Sequence, residues 1–390
     1  MKTNWKKRSE TELYIHIPFC VRKCQYCDFL SFAAPLETRE QYVFMLCKEM
    51  AEWEKKEEVV VSSVFLGGGT PSLLSEKQLE AIFTTLHENY QFTEDAEISI
   101  EANPGTVSES KLLLLRKCGV NRISFGLQST QEEELKNLGR IHTFRQFLDS
   151  YEMARKAGFE NINIDLMSAL PGQSLFSWQT TLRKVAELSP EHISAYSLII
   201  EEGTPFYEKY REDEILREKG EKSLYLPDEE TERRMYELTR EILGEYGYHR
   251  YEISNYAKKG KECRHNIGYW TRKEYKGFGL GAASLVEEQR LKNTCDLKSY
   301  LKGKRVEEAE KLEKEDQMEE TMFLGLRMMQ GVSMRQFYEQ YGIEMKEMYG
   351  ETIERMKGLG LLEETGDYIR LTEEGISLSN YVMSEFVTVH

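Results

Sequence analysis

Six short β-rich runs punctuate the first 200 residues, and amphipathic stretches lie between them. The runs are LYIHI (13–17), VSSVFLGGG (61–69), AEISIEANP (96–104), NRISFGLQS (121–129), NINIDLM (161–167) and HISAYSLII (192–200). The stretches between include REQYVFMLCKEMAEWEKK, SEKQLEAIFTTLHENY, ESKLLLLRKCG and LFSWQTTLRKVAEL. A strand, a helix-length return and another strand make a βαβ unit, so the strands run parallel in one sheet. Six units rather than eight predict an α/β fold with a partial, TIM-like (β/α)6 barrel over residues 1–205. A doubly wound open sheet is the alternative. Most of the runs end in chemistry-bearing residues: Cys20, Gly67 to Thr70, Glu101, Gln128 and Asp165. Barrel enzymes gather their sites at the C-terminal strand ends, where several strands contribute side chains to one mouth.

After residue 200 the pattern changes. EEGTPFYEKYREDEILREKG reads as charged and turn-rich, DEETERRMYELTREILGEYGY as a long helix and HRYEISNYA as a strand. CRHNIGYW and a glycine-rich GFGLGAASL close this extension, 206–290. Residues 291–390 read as a smaller, mainly helical domain: three helices, a hairpin at LLEETGDYIRLTEEG and a last helix, a winged-helix-like order. Winged helices often meet DNA, but acidic residues outnumber basic ones here and the whole chain carries −15. Phosphate neutralisation drives nucleic-acid binding, so a nucleic-acid partner is not expected, nor a DNA-binding redox regulator. No run of eighteen apolar residues predicts a membrane span, although peripheral contact stays open. The basic opening segment lacks the apolar stretch of a secretory signal, so a cytoplasmic protein is expected.

Cys20, Cys24 and Cys27 stand in C-x-x-x-C-x-x-C spacing just after the first strand, and position 29 is Phe. Such crowding in a long chain of seven cysteines points to a metal site rather than to disulfides. Zinc wants a fourth Cys or His, and the nearest, His16 and Cys47, sit within a strand and on a helix. Three thiolates suit an iron–sulfur cubane with one iron left open for an exchangeable ligand.

This spacing, after a first strand, resembles the signature of the radical S-adenosylmethionine superfamily. The resemblance implies a [4Fe-4S] cluster whose unique iron is chelated by the amino and carboxylate groups of S-adenosylmethionine. An electron from the cluster then cleaves the sulfonium to give a 5′-deoxyadenosyl radical. FLGGGTP resembles the methionine-binding glycine motif, so Gly68, Gly69 and Thr70 carry over; glycines let a ligand approach the backbone closely. Glu101 in SIEANPGT and Gln128 in SFGLQS point to the same mouth. Arg140 in LGRIHT suits a carboxylate, and Asp165 in NIDLM suits the ribose hydroxyls. Tyr14 and Tyr26 flank the cysteines and are expected on the cluster or the adenine.

IHIPFCVRKCQYCDF, GGGTPSLL, EANPGT, RISFGLQS, LGRIHT, IDLMSALPGQ and SAYSLIIEEGTPFY together resemble one branch, across about residues 10–390. It holds oxygen-independent coproporphyrinogen III dehydrogenase, of porphyrin metabolism, and its sister family of radical S-adenosylmethionine heme chaperones. The dehydrogenase carries a further cysteine where this chain has Phe29, and RHNIGYW (264–270) resembles the chaperones' motif linked to heme. The resemblance therefore implies heme, with His265 as the natural ligand, Cys263 as a softer one, and Tyr269 and Trp270 as flat faces. It also implies a heme-accepting protein and, where radical chemistry is used, an electron donor. The chaperone reading is favoured; oxidative decarboxylation of coproporphyrinogen III is the enzymatic alternative.

Overall fold

The computed structural model describes residues 10–53 and 59–387. Residues 1–9, half of the basic opening segment, lie outside the described residues. So do 54–58, at the end of the first helical stretch, and 388–390.

All six expected strands form: β1 (Glu10–Ile17), β2 (Val60–Gly68), β3 (Gln91–Ala102), β4 (Arg122–Gln128), β5 (Ile162–Ser168) and β6 (His192–Ser197). Between them run α1 (Leu36–Glu52), α2 (Glu76–Asn89), α3 (Glu109–Lys117), α4 (Glu132–Asn137), α5 (Phe144–Lys156) and α6 (Leu175–Glu187). Local chemistry starts several of these helices. Ser75, Thr143 and Ser174 each accept the third backbone N–H, and Gln78, Gln146 and Ser177 return the bond. Reciprocal capping of this kind satisfies two donors that a helix start otherwise leaves unpaired.

The strands are parallel and stand in sequential order, β1 to β6. A doubly wound sheet would reverse direction at a switch point. None occurs here, so the barrel-type winding holds. Along each strand, residues alternate between two surroundings. Leu13, Ile15, Val64, Ile100, Ile123, Phe125, Ile164 and Leu166 are fully buried in the apolar core. The residues between them line cavities on the other face: Tyr14, Phe65, Glu101, Arg122, Ser124, Asn163 and Asp165. Period-two alternation thus gives the barrel a dry outside and a polar inside.

An open barrel leaves two sheet edges with unpaired backbone groups, and the extension covers both. It contains α7 (Pro205–Glu218), α8 (Glu229–Glu245), β7 (His249–Glu252), β8 (Asn255–Ala257), α9 (Arg264–Trp270), β9 (Tyr275–Phe278), β10 (Ala283–Val286), β11 (Gln289–Asn293), α10 (Leu297–Leu301) and β12 (Val306–Lys311). β8 pairs antiparallel with β6, whereas β9 adds a seventh parallel strand beside β1. The segment 206–290 is therefore part of the barrel sheet, and the sheet runs on to Lys311, past the expected boundary at 290. The stretch expected to be turn-rich at 201–220 is mostly α7. Thr204 caps it, Pro205 opens it, and Phe206 and Tyr210 bury one face. Among its described residues only these two buried positions are apolar, the third being Asp213, too few for a clear hydrophobic period.

The C-terminal unit has α11 (Lys314–Gly325), β13 (Val332–Ser333), α12 (Met334–Tyr341), α13 (Met345–Gly358), β14 (Leu362–Thr365), β15 (Tyr368–Leu371), α14 (Glu373–Ser377) and α15 (Ser379–Ser384). Three helices and a hairpin surround a separate core that includes Met322, Phe337, Ile353 and Ile369. Arg272 ties this unit to the barrel through Glu320, at 2.9 Å. Among the described residues, no helix is long and apolar enough to cross a membrane.

Candidate functional site

The loop after β1 carries the three cysteines and is pinned at several points. The Cys20 N–H donates to Phe32 O at 3.0 Å, the Gln25 N–H to Leu138 O at 3.2 Å, and Arg22 Nη2 to Gly139 O at 2.7 Å. Cys20, Cys24 and Cys27 are half-buried free thiols that open into one cavity of about 320 Å³. The same cavity is lined by Tyr26, Gly68, Gly69, Thr70, Glu101, Gln128, Arg140 and Asp165. Eleven of the twelve residues expected around cluster and cofactor therefore share one space. The twelfth, Tyr14, does not: it lies behind, with its hydroxyl 3.0 Å from His16 Nδ1 and its ring stacked near Phe65.

A hydrogen-bond circuit joins the strand ends to the sulfurs. Thr70 Oγ1 donates to Cys20 Sγ at 3.5 Å, and Asn103 Nδ2 donates to Thr70 Oγ1 at 2.7 Å. Arg140 Nη2 donates to Asn103 Oδ1 at 2.6 Å, and its Nη1 to Cys24 Sγ at 3.6 Å. Arg140 also donates to Gly126 O, while its buried Nε has no hydrogen-bond partner among the described residues. A buried guanidinium beside sulfur favours negative charge there. Burial pushes the Cys27 thiol up, which an iron ligand overcomes by taking the thiolate.

Among the described residues, no three His, Cys, Asp or Glu side chains are arranged to hold a single metal ion. A cubane makes no such demand, since each thiolate binds a different iron. Three free thiols around one cavity, beside a buried cation, fit that group. The glycine turn is already satisfied on its donor side. The Gly68 N–H donates to Glu101 Oε2 at 3.0 Å, the Gly69 N–H to Ile17 O at 2.8 Å and the Thr70 N–H to Phe19 O at 2.8 Å. Any bond from this turn to a ligand's ammonium therefore runs through carbonyls, the acceptors an ammonium requires.

Glu101 is pushed up to about 8 by burial, with the nearby Asp165 adding and the Gly68 N–H opposing. Burial likewise raises Asp165, against bonds from Asn163 at 2.7 Å and Ser124 at 3.0 Å. Gln128 sits at a register shift of β4 with φ +74°, and its Oε1 accepts from the Tyr196 hydroxyl at 3.1 Å. A non-glycine residue held at positive φ stores strain that functional sites commonly retain.

RHNIGYW folds as α9 and packs under the barrel. Glu97 of β3 accepts from the Arg264 and His265 N–H groups, both at 3.3 Å, and from Cys263 Sγ at 3.5 Å. His265 is 1% exposed. Ser63 Oγ lies 2.8 Å from its Nδ1 and the Tyr269 hydroxyl 3.0 Å from its Nε2. Burial holds its pKa down near 3, with Arg122 and Lys273 adding. Both ring nitrogens are thus occupied, and Cys263 is fully buried, so neither presents itself as a heme ligand in this arrangement. Trp270 lies under Arg327, 4.3 Å from its guanidinium. Of the four heme candidates, Tyr269 lines two cavities and His265 one of them. One is a chamber of about 200 Å³ shared with His265; the other, of about 430 Å³, is lined by Tyr14, Tyr275, Leu285, Phe323, Leu324, Arg272, Lys273 and Arg290 among others.

Residues 14–185 match the Radical SAM superfamily model and residues 312–378 the HemN C-terminal domain. The heme chaperone HemW of Bacillus subtilis is 38% identical, over 96% of this chain and 98% of its own length. HemW of Lactococcus lactis is 39% identical over 96% of each chain. The chain belongs to the HemW family of heme chaperones. HemW of Escherichia coli is 34% identical, over 96% of this chain and 97% of its own. Coproporphyrinogen III oxidase (HemN) from Escherichia coli superposes with a TM-score of 0.83 at 24% identity, covering 98% of this chain and 90% of that one. That likeness is one of fold.

The superfamily implies a [4Fe-4S] cluster and S-adenosylmethionine, and in this HemW-family chain Phe29 stands 63% exposed on the cluster loop. Residues missed by sequence reasoning complete the cavity: Asn103, Ser124, Ser194, Tyr196, Asn255 and Asn266. A pH dependence follows from Glu101. Below about 8 its carboxyl holds a proton, and a cationic ligand group beside it favours the carboxylate. Cofactor affinity is therefore expected to rise with pH up to about 8, by at most about tenfold per unit, and to level off above. Calorimetry across pH reads this, and Glu101→Gln flattens the profile. A flat wild-type profile would mean that the cation lies elsewhere.

Proposed function

We propose that this chain binds heme and passes it to an acceptor protein, while carrying a [4Fe-4S] cluster on Cys20, Cys24 and Cys27 that takes S-adenosylmethionine. Full-length identity to heme chaperones supports the reading, and one geometric observation carries it. Tyr269, of the heme-linked motif, opens onto the 430 Å³ cavity between the barrel edge and α11. That cavity joins aromatic and aliphatic walls to three cations, Arg272, Lys273 and Arg290, against one carboxylate, Glu320. A flat apolar ring with two carboxylates suits such a lining, and the volume is in the range of cofactor sites.

In this reading the Tyr269 oxygen faces the heme, and His265, Nε2 toward that hydroxyl, holds it in place. Cys263 and Trp270 anchor the helix. At the other site, Glu101 and Asp165 meet the cofactor's polar groups, Arg140 steadies the Cys24 sulfur, and Gln128 and Tyr26 close the wall. The cluster, when bound and reduced, supplies the electron for cleaving the sulfonium where that chemistry is used.

A heme titration followed by absorbance tests the proposal. Wild type is expected to give a stoichiometric Soret band. Tyr269→Phe is expected to shift that band and weaken binding at least about tenfold, because coordination to oxygen is lost. His265→Ala should weaken binding less, since it removes support rather than a ligand. Absence of a saturable band in wild type rejects the function. A Tyr269→Phe protein indistinguishable from wild type rejects the assignment to Tyr269 alone.

A further inference from the structure

We propose that Asn266 contacts the nucleoside half of S-adenosylmethionine, so that α9 belongs to the cofactor site as well as to the heme site. The proposal rests on the reading that the cysteine cavity takes this cofactor. Asn266 lines both that cavity and the 200 Å³ chamber behind it. The two spaces share Glu101, Ser124, Asp165, Ser194 and Asn266, whereas none of the cysteines lines the chamber. Asn266 therefore stands on the side of the cavity away from the cluster. A cofactor whose methionine end is at the iron presents its nucleoside there.

Chemistry agrees with the position. The half-buried Asn266 amide makes no hydrogen bond to any described residue, although its neighbours on α9, His265 and Tyr269, are bonded to each other. An amide offers a donor and an acceptor side by side, which suits ribose hydroxyls and the edge of a purine. Asn255, the first residue of β8, lines the same cavity and is 7% exposed, with a buried Oδ1 that lacks a partner among the described residues. A second unpaired amide oxygen in one wall marks a surface prepared for a hydrogen-bonding ligand rather than a packed core.

The helix holds Asn266 in place. Glu97 fixes its first turn, and Gly268 packs so closely that a Cβ there would collide with the Glu12 carboxylate. Tyr269, three residues on, faces the heme cavity. One short rigid helix thus touches both ligands.

Titrating S-adenosylmethionine into cluster-reconstituted protein by calorimetry tests this. Asn266→Ala is expected to weaken binding by about tenfold, the loss of a desolvated hydrogen-bond pair. L-methionine, followed by its effect on the EPR signal of the reduced cluster, should bind wild type and variant alike. Heme affinity without the cofactor should also be unchanged. Asn266→Ser is read in the same way should the alanine variant not retain its iron. Cofactor affinity within twofold of wild type overturns the proposal, as does an equal loss for methionine. A wild type that binds no S-adenosylmethionine rejects the cofactor reading itself, a separate outcome.

Discussion

Cys24→Ser is expected to strip the protein of its cluster: reconstituted iron falls from about four atoms per chain to below about one, with loss of the sulfur-to-iron absorbance. The cause is stoichiometric. Among the described residues no other set of His, Cys, Asp or Glu converges as a metal site, so no substitute ligand stands ready. Cys24 also receives the bond from Arg140 Nη1, at 3.6 Å, and its removal leaves that cation facing an empty corner of the cavity. None of the three cysteines belongs to the apolar core, so the far-UV circular dichroism of the variant should match wild type. Cys295→Ser, at an exposed thiol, should keep its iron. Retention of four irons by Cys24→Ser would show that the loop does not hold the cluster.

Much of this site was legible because strand ends in a parallel barrel converge whatever lies between them. Gly68, Glu101, Gln128 and Asp165 could be named from their places alone, and the cavity unites them. What was not legible came from two sources. The first is the barrel's interior face. Parallel strands buried on both sides usually read as continuous apolar runs, yet NINID alternates Asn163 and Asp165 with isoleucines. That polar period, present also in Arg122 and Ser124, marks the inner lining. The second is long-range placement. Asn103 follows a strand as an ordinary turn residue, and only the fold brings it between Thr70 and Arg140. Asn255 and Asn266 lie in the extension, and β8 reaches β6 because an open barrel edge needs a partner. His265 was the natural heme ligand by side-chain type, but burial between Ser63, Phe65 and Tyr269 gives it a structural task. Tyr14 was expected near the cysteines by adjacency in sequence. It faces the barrel interior as well, but lies deeper, in the chamber behind the cysteine cavity, because it stands two positions before His16 on β1.

Gly69→Ala is expected to cost about 1–3 kcal/mol of stability, as overpacking does, and to weaken S-adenosylmethionine binding by at least about tenfold. The reason is local and steric. A Cβ at this position would lie 2.8 Å from Phe19 O, 2.9 Å from Ile17 O and 2.9 Å from Phe19 N. All three are backbone atoms, so no side chain can rotate out of the way. The contact that must open is the one that matters, because the Gly69 and Thr70 N–H groups stitch this turn to Ile17 and Phe19, each at 2.8 Å. Phe19 immediately precedes Cys20. Pushing the turn from the loop therefore moves the first sulfur and the glycine backbone relative to each other, and with them both ends of any ligand chelated between. Gly105→Ala is the control. Its Cβ meets nothing within 4 Å, but φ is +80°, so it should cost about 1–2 kcal/mol through strain and leave cofactor affinity unchanged. Thermal unfolding and calorimetric titration of the two variants separate the cases. Equal cofactor affinity in both would mean that the glycine turn supports the fold without touching the ligand.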